Sequence, residues 1–218
     1  ESGKIATSPD GNTWTQTATT GGVLYRVVVS ESQKLIIASG DPQSSGSSIV
    51  YSSDGLTWSE AVGSAVSTDI QGLCYSKSLN LYLAVGGSKV LLYSSNGTEW
   101  QQLALIDDGQ VAKSAIYSEL TGKFIICDSG GRIYFASGLE QFAEAATPSF
   151  GSTQINDFAE SGSVIIAVGN SGKIAYSTDG NTWTQAATPS VGSDSVRGCS
   201  WCEEIQRFVA VGDSGKIA

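Results

Sequence analysis

The 218-residue chain contains no histidine. It therefore lacks the commonest general base, the usual partner of a serine or cysteine nucleophile and the commonest metal ligand. No serine lies in a Gly-x-Ser-x-Gly setting. Cys199 and Cys202 have the spacing of a CxxC, but residues three apart on a strand point to opposite faces, and no second pair or His completes a zinc site. Cys199 aligns with Val28, Leu73, Ala115 and Phe158, so small buried hydrophobes are expected. Cys74 and Cys127 fall in neighbouring repeats, and sequence sets no pairing for them. Residue types alone leave a paired-carboxylate glycosidase open. An active site among near-identical repeats should stand out as a local gain of acids and aromatics, and no such cluster occurs. No catalytic residue, cofactor or metal is expected.

The charged residues that do recur fall in two columns. One holds Arg26, Gln71, Lys113, Asn156 and Arg197; the other holds Asp41, Gly87, Asp128, Asn170 and Asp213. They vary together, cations with carboxylates and neutral residues with neutral ones. Cross-strand pairing explains this, since opposite charges on adjacent strands stabilise by roughly 0.2–1 kcal/mol. Two readings stay open: charges that satisfy one another around a channel, or a ligand face built from this ring and the loops beside it. Those loops are 17–24, 62–69, 104–110, 146–154 and 187–195, with the insertion Asp41 to Ser48. Asp107-Asp108 is the local acidic pair there, able to hold a hard cation weakly or simply to be solvated. Pro148 and Phe150 make the fourth loop the most apolar, a candidate contact patch.

The elements that position these columns are repeats. Ser2 to Ala6 reads Ser-Gly-Lys-Ile-Ala, as does Ser214 to Ala218, and residues 2–19 agree with 171–188 at 15 of 18 positions. Aromatic anchors Trp14, Trp58, Trp100, Phe142 and Trp183 are spaced 44, 42, 42 and 41 residues apart, giving five units. Within a unit the apolar blocks are short, β-branched or aromatic, and bounded by Gly, Ser, Asn and Asp, as in Leu35-Ile36-Ile37-Ala38. Four strands in a unit leave about ten residues each with their turns, the signature of a β-propeller.

Each anchor closes a segment Ser-x-Asp-Gly-x-Thr-Trp: Ser8 to Trp14, Ser52 to Trp58, Ser94 to Trp100 with Asn96 for Asp, the eroded Ala136 to Phe142, and Ser177 to Trp183. Ser and Asp can accept hydrogen bonds from the turn's own backbone, Gly tolerates positive φ, and Trp packs back over the hairpin. The segment resembles the Asp-box, or BNR, repeat of sialidases and related propellers, in all five units. The resemblance implies a structural box away from the ligand face, so that Asp10, Asp54, Asn96 and Asp179, with Trp14, Trp58, Trp100 and Trp183, hold the fold and catalyse nothing. The sialidase site itself, three clustered arginines, a Tyr–Glu nucleophile and an acidic proton donor, has no counterpart: Arg26, Arg132, Arg197 and Arg207 are the only arginines.

The expected architecture is all-β: a single domain over 1–218 forming a five-bladed propeller, four antiparallel strands per blade. The blades cover about 23–62, 70–105, 112–146 and 155–187, with a shared blade from 196–218 plus 1–18. Residues 3–18 should pair with 196–212 to close the ring. Only one Ser-Gly-Lys-Ile-Ala copy is then needed. The other, the C-terminal one, is expected to fray, to mark where a longer array was cut, or to exchange with another molecule. The missing initiator Met fits a processed or excised chain. A net charge of −9 with scattered cations disfavours nucleic acid and anionic membranes, and no apolar run reaches the ~20 residues of a membrane span. The function expected is a non-catalytic scaffold for protein interaction or surface display, in an extracellular or cell-surface setting. A glycan-binding propeller is the alternative, and a glycoside hydrolase the third reading.

Overall fold

The computed structural model describes residues 3–43, 46–63, 69–103, 110–146, 150–187, 192–215 and 217. The chain divides into two compact units, Glu1–Leu105 and Ile106–Ala218.

In the first unit, β1 (Gly3–Thr7) and β2 (Thr15–Thr20) form an antiparallel hairpin. A four-stranded meander follows: β3 (Leu24–Ser30), β4 (Leu35–Gly40), β5 (Ile49–Ser52) and β6 (Ser59–Glu60). The chain then runs through β7 (Val62–Gly63) into a second meander, β8 (Ile70–Ser76), β9 (Leu81–Gly86), β10 (Leu91–Ser94) and β11 (Glu99–Gln102). β7 pairs in parallel with β11, so the exit from one sheet is tied to the outer edge of the next.

The second unit repeats the plan. One meander is β12 (Ala112–Ser118), β13 (Lys123–Asp128), β14 (Ile133–Ala136) and β15 (Ala143–Glu144). The next is β16 (Ile155–Glu160), β17 (Ile165–Gly169), β18 (Ile174–Ser177) and β19 (Thr184–Gln185), and the hairpin β20 (Val196–Cys202) and β21 (Arg207–Gly212) completes the unit.

The middle of each second strand is apolar and buried because both its faces are covered. Phe124, Ile125 and Cys127 of β13 have no exposed surface, and neither do Leu83 and Val85 of β9. The fourth strands are short and, apart from the buried Trp100 of β11, exposed and mostly polar, as outer edges facing water should be. Cores lie between successive sheets. Leu35, Ile37 and Ile49 pack with Leu73, Tyr82 and Trp100 in the first unit; Ile125, Cys127 and Ile133 pack with Phe158, Ile165 and Trp183 in the second.

Among the described residues, four four-stranded blades form, where five blades were expected; within the first unit β1 pairs with β2, and within the second β20 pairs with β21. Beside β21, Val211 bridges antiparallel to Ile217 of the C-terminal phrase. Ser214 and Gly215, at φ of 60° and 66°, turn the chain back to make that contact. Ile217 of the C-terminal copy makes this one bridge, and the N-terminal copy forms β1 against β2.

Candidate functional site

The repeated turns are built from inside. Ser52 Oγ donates to Asp54 Oδ1 at 2.9 Å and accepts from the Gly55 amide at 2.8 Å. Asp54 Oδ1 accepts from the amides of Leu56 at 2.7 Å and Thr57 at 2.8 Å. Gly55 sits at φ 75°, where its carbonyl accepts from Trp58 Nε1 at 3.2 Å. The Asp10 and Asp179 turns repeat the Asx arrangement, and Asn96 accepts from Thr98 and Glu99 in the same way. Backbone donors on an ionised oxygen hold the Asp10, Asp54 and Asp179 carboxyls down to about 2. Such carboxylates carry no proton to give at neutral pH.

Every inner strand is bulged near its start, between Leu24 and Arg26, Ile70 and Gly72, Ala112 and Ser114, Ile155 and Asp157, and Val196 and Gly198. The bulged residues are Tyr25, Gln71, Lys113, Asn156 and Arg197. Tyr25, not Arg26, thus belongs to the first column; Arg26 lies one residue on, opposite Ser39, and so faces the other way. Backbone bonds fix the second column too. The amides of Asp41, Gly87, Ser129, Asn170 and Asp213 donate to the carbonyls of Val23, Asp69, Val111, Gln154 and Ser195. Ser129 replaces Asp128 there.

Side-chain pairs follow this corrected register. Tyr25 Oη donates to Asp41 Oδ1 at 2.7 Å, which raises the phenol to about 12. Asn156 Nδ2 donates to Asn170 Oδ1 at 3.0 Å, and Arg197 holds Asp213 through two bonds. Gln71, opposite side-chain-less Gly87, bonds Asp69 instead. Asp128 is fully buried and serves its own turn, accepting from the amides of Gly130 at 2.8 Å and Arg132 at 2.9 Å and from Arg132 Nε at 3.2 Å. A bulge re-aims the side chain it carries. That backbone device marks the column, and charge type does not reveal it.

A groove of about 630 Å³ lies within the first unit, between the β1–β2 hairpin and the β3–β6 sheet. Ile5, Trp14, Tyr25, Val27, Val29 and Trp58 line it. Its wall is unusual for a blade interface: Val27 is 65% exposed, whereas Leu73, at the same position of the next blade, is 8% exposed. Leu73 packs in the cluster with Leu35 and Ile37, from the second strand of the blade before it.

Of the remaining expected features, Asp107-Asp108 and Pro148 lie outside the described residues. Phe150 does not form a surface patch: it is 1% exposed in the core with Ile155 and Trp183. The four thiols are free, and burial pushes Cys74 up to about 12. Among the described residues no group of three or more His, Cys, Asp or Glu could hold a metal, and no helix is long and apolar enough to cross a membrane.

No family model matches the chain, and no curated protein matches it. Solved structures do. YCF48 from Cyanidioschyzon merolae superposes with a TM-score of 0.72 at 17% identity, over 99% of this chain and 76% of that one. YCF48 bound to D1 peptide gives 0.68 at 15% identity, over 100% and 65%. Virginiamycin B lyase from Staphylococcus aureus gives 0.71 at 11% identity, over 100% and 73%. These neighbours are β-propellers, and the chain has that fold.

Proposed function

We propose that residues 1–218 form one non-catalytic scaffold that binds protein, taking an extended polypeptide in the apolar groove between the β1–β2 hairpin and the β3–β6 sheet. The exposure of Val27, at a position the other blades bury as Leu73, Ala115 and Phe158, carries this reading, with Val29 exposed beside it. An extended peptide would seat alternate side chains among the apolar residues of the groove. A structural neighbour bound to a peptide supports the class of partner. The turn carboxylates, held at about 2, and the buried Cys74 thiol support a non-catalytic role. The turns themselves we assign to the Asp-box type, as folding devices. The bulged column, Tyr25 with Gln71, Lys113, Asn156 and Arg197, is the second candidate contact surface.

The test is selection of peptides from a displayed library on the purified chain. Enriched sequences should alternate apolar and polar residues, and Val29→Lys should weaken their binding about tenfold, equivalent to ~1.4 kcal/mol. Enriched peptides indifferent to Val27→Lys and Val29→Lys, or no enrichment, would overturn the reading.

A further inference from the structure

The third turn carries an amide where three of its counterparts carry a carboxylate. Asn96 Oδ1 accepts from Ser94 Oγ at 3.0 Å and from the amides of Thr98 and Glu99 at 3.0 and 2.9 Å, the contacts that Asp54 and Asp179 make in their own turns. Asn96 is followed by Gly97, and this is the only Asn-Gly pair in the sequence. A bond from the Gly97 nitrogen to Asn96 Cγ would close a five-membered ring, and a residue without a side chain leaves that nitrogen unhindered.

The turn supplies what such a ring closure needs. Ser94 Oγ accepts from the Gly97 amide at 2.8 Å and donates to Asn96 Oδ1, so one hydroxyl touches both the attacking nitrogen and the oxygen on which charge develops. A proton can cross between them in a single relay. The Thr98 and Glu99 amides aim at the same oxygen, in the manner of an oxyanion hole. Ser94 is 2% exposed and Gly97 is buried, whereas Asn96 is exposed, so the relay is shielded while the side-chain amide opens to water. Core side chains hold the turn in place, since a Cβ on Gly97 would lie 2.5 Å from Leu35 Cδ2 and 2.6 Å from Ile37 Cδ1. All of these residues belong to the first unit.

We propose that Asn96 is a self-modification site, at which the folded turn converts its own amide to a carboxylate. The Gly97 nitrogen bonds to Asn96 Cγ, its proton passes to Ser94 Oγ, and the hydroxyl proton passes to Oδ1. The tetrahedral carbon then collapses: the Cγ–Nδ2 bond breaks, the proton on Oδ1 moves to the departing nitrogen, and ammonia leaves a cyclic imide. Water adds to Cγ, the bond from Cγ to the Gly97 nitrogen breaks, and that nitrogen regains its proton. Nothing is oxidised or reduced, and water is the only co-reactant. Opening at the main-chain carbonyl of residue 96 would instead give isoaspartate and lengthen the backbone by one carbon, which the packed Gly97 and the Trp100 to Gly97 bond oppose. The carboxylate product meets the donors already in place, and hydrogen bonds to an ionised oxygen are about twice as strong as those to a neutral one. The modification adds one negative charge to the turn and brings it to the form of its three aspartate counterparts.

The test incubates the full 218-residue chain, folded and in denaturant, at mildly alkaline pH, and follows residue 96 by peptide mapping and mass spectrometry. The mass increment of Asn to Asp should appear at least tenfold faster in the folded chain, with aspartate as the main product. Ser94→Ala should slow the folded reaction at least tenfold, and Ser94→Thr, which keeps a hydroxyl, should restore most of the rate. In aged protein the Thr98 and Glu99 amides should gain an acid titration step that freshly prepared protein lacks. Conversion slower in the folded chain than in the unfolded one would overturn the proposal, and this comparison needs no variant to fold. An unchanged rate in folded Ser94→Ala would overturn the relay, and isoaspartate as the main folded-state product would overturn the route of ring opening.

Discussion

Arg197 grips Asp213 at two points, Nε to Oδ1 at 2.9 Å and Nη2 to Oδ2 at 2.8 Å, across the bulge that opens the inner strand. The hydrogen bonds raise the guanidinium and hold the carboxyl below its usual range. Both side chains are about half exposed, at 55% and 47%, so water and salt screen the attraction. Asp213→Asn should lower the thermal midpoint only slightly, and the difference from the unsubstituted protein should shrink as salt is added. A depressed carboxyl contributes above the ordinary Asp range and loses its contribution as pH falls through the folded value, so the same gap should also close in acid. Thermal melts across salt and pH measure both.

Two copies of one motif should differ sharply in energy. Trp100 is 3% exposed, packed near Tyr82 with ring centroids 6.2 Å apart, and donates to the Gly97 carbonyl at 3.0 Å. Trp14 makes the same bond to Gly11 at 3.1 Å yet is 64% exposed. Trp100→Ala should destabilise by about 3–5 kcal/mol, the cost of emptying a packed aromatic site. Trp14→Ala should cost well under half as much in the same denaturant titration. Equal losses would show that the turn, not the packing, sets the energy.

Much of this was legible in the residues. The recurring Asp-Gly turn and the short β-branched blocks determine four-stranded units because each has a local physical cause. Registration of the bulge was not legible. Aligning by charge places Arg26 beside Gln71, whereas the backbone places Tyr25 there, and it replaces Asp128 with Ser129. A better signal was present: Gly40, Gly86, Gly169 and Gly212 end the second strands where a Cβ would come within 1.9 to 2.3 Å of the carbonyl oxygens of Val23, Asp69, Gln154 and Ser195. Anchoring on that steric column puts Asp41, Asn170 and Asp213 in register directly.

Glycine positions of equal φ should also separate. Gly11 and Gly97 lie at 70° and 73°, but a Cβ on Gly11 meets nothing within 4 Å, while one on Gly97 would sit 2.5 Å from Leu35 Cδ2 and 2.6 Å from Ile37 Cδ1. Gly11→Ala should cost only the left-handed backbone penalty of about 1–2 kcal/mol. Gly97→Ala pays that and must also displace two core side chains, adding about 1–3 kcal/mol. Chemical denaturation of the two variants measures the difference, which reports packing alone.

The third turn is a built-in control for acid behaviour, because Asn96 accepts from the Thr98 and Glu99 amides at 3.0 and 2.9 Å with no charge to lose. The Asp54 and Asp179 turns make the same contacts with carboxylates lowered from 3.8 to about 2. A lowered folded value means that the unfolded chain binds protons first as pH falls, so these turns stabilise fully above about pH 4 and progressively lose that contribution toward pH 2. In an NMR titration the amides of Leu56, Thr57, Asn181 and Thr182 should shift with midpoints near 2. Those of Thr98 and Glu99 should show no such step. Asp54→Asn should keep the turn and remove its titration; midpoints near 3.8 in the unsubstituted protein would mean that the backbone donors do not grip the carboxylate as the distances imply.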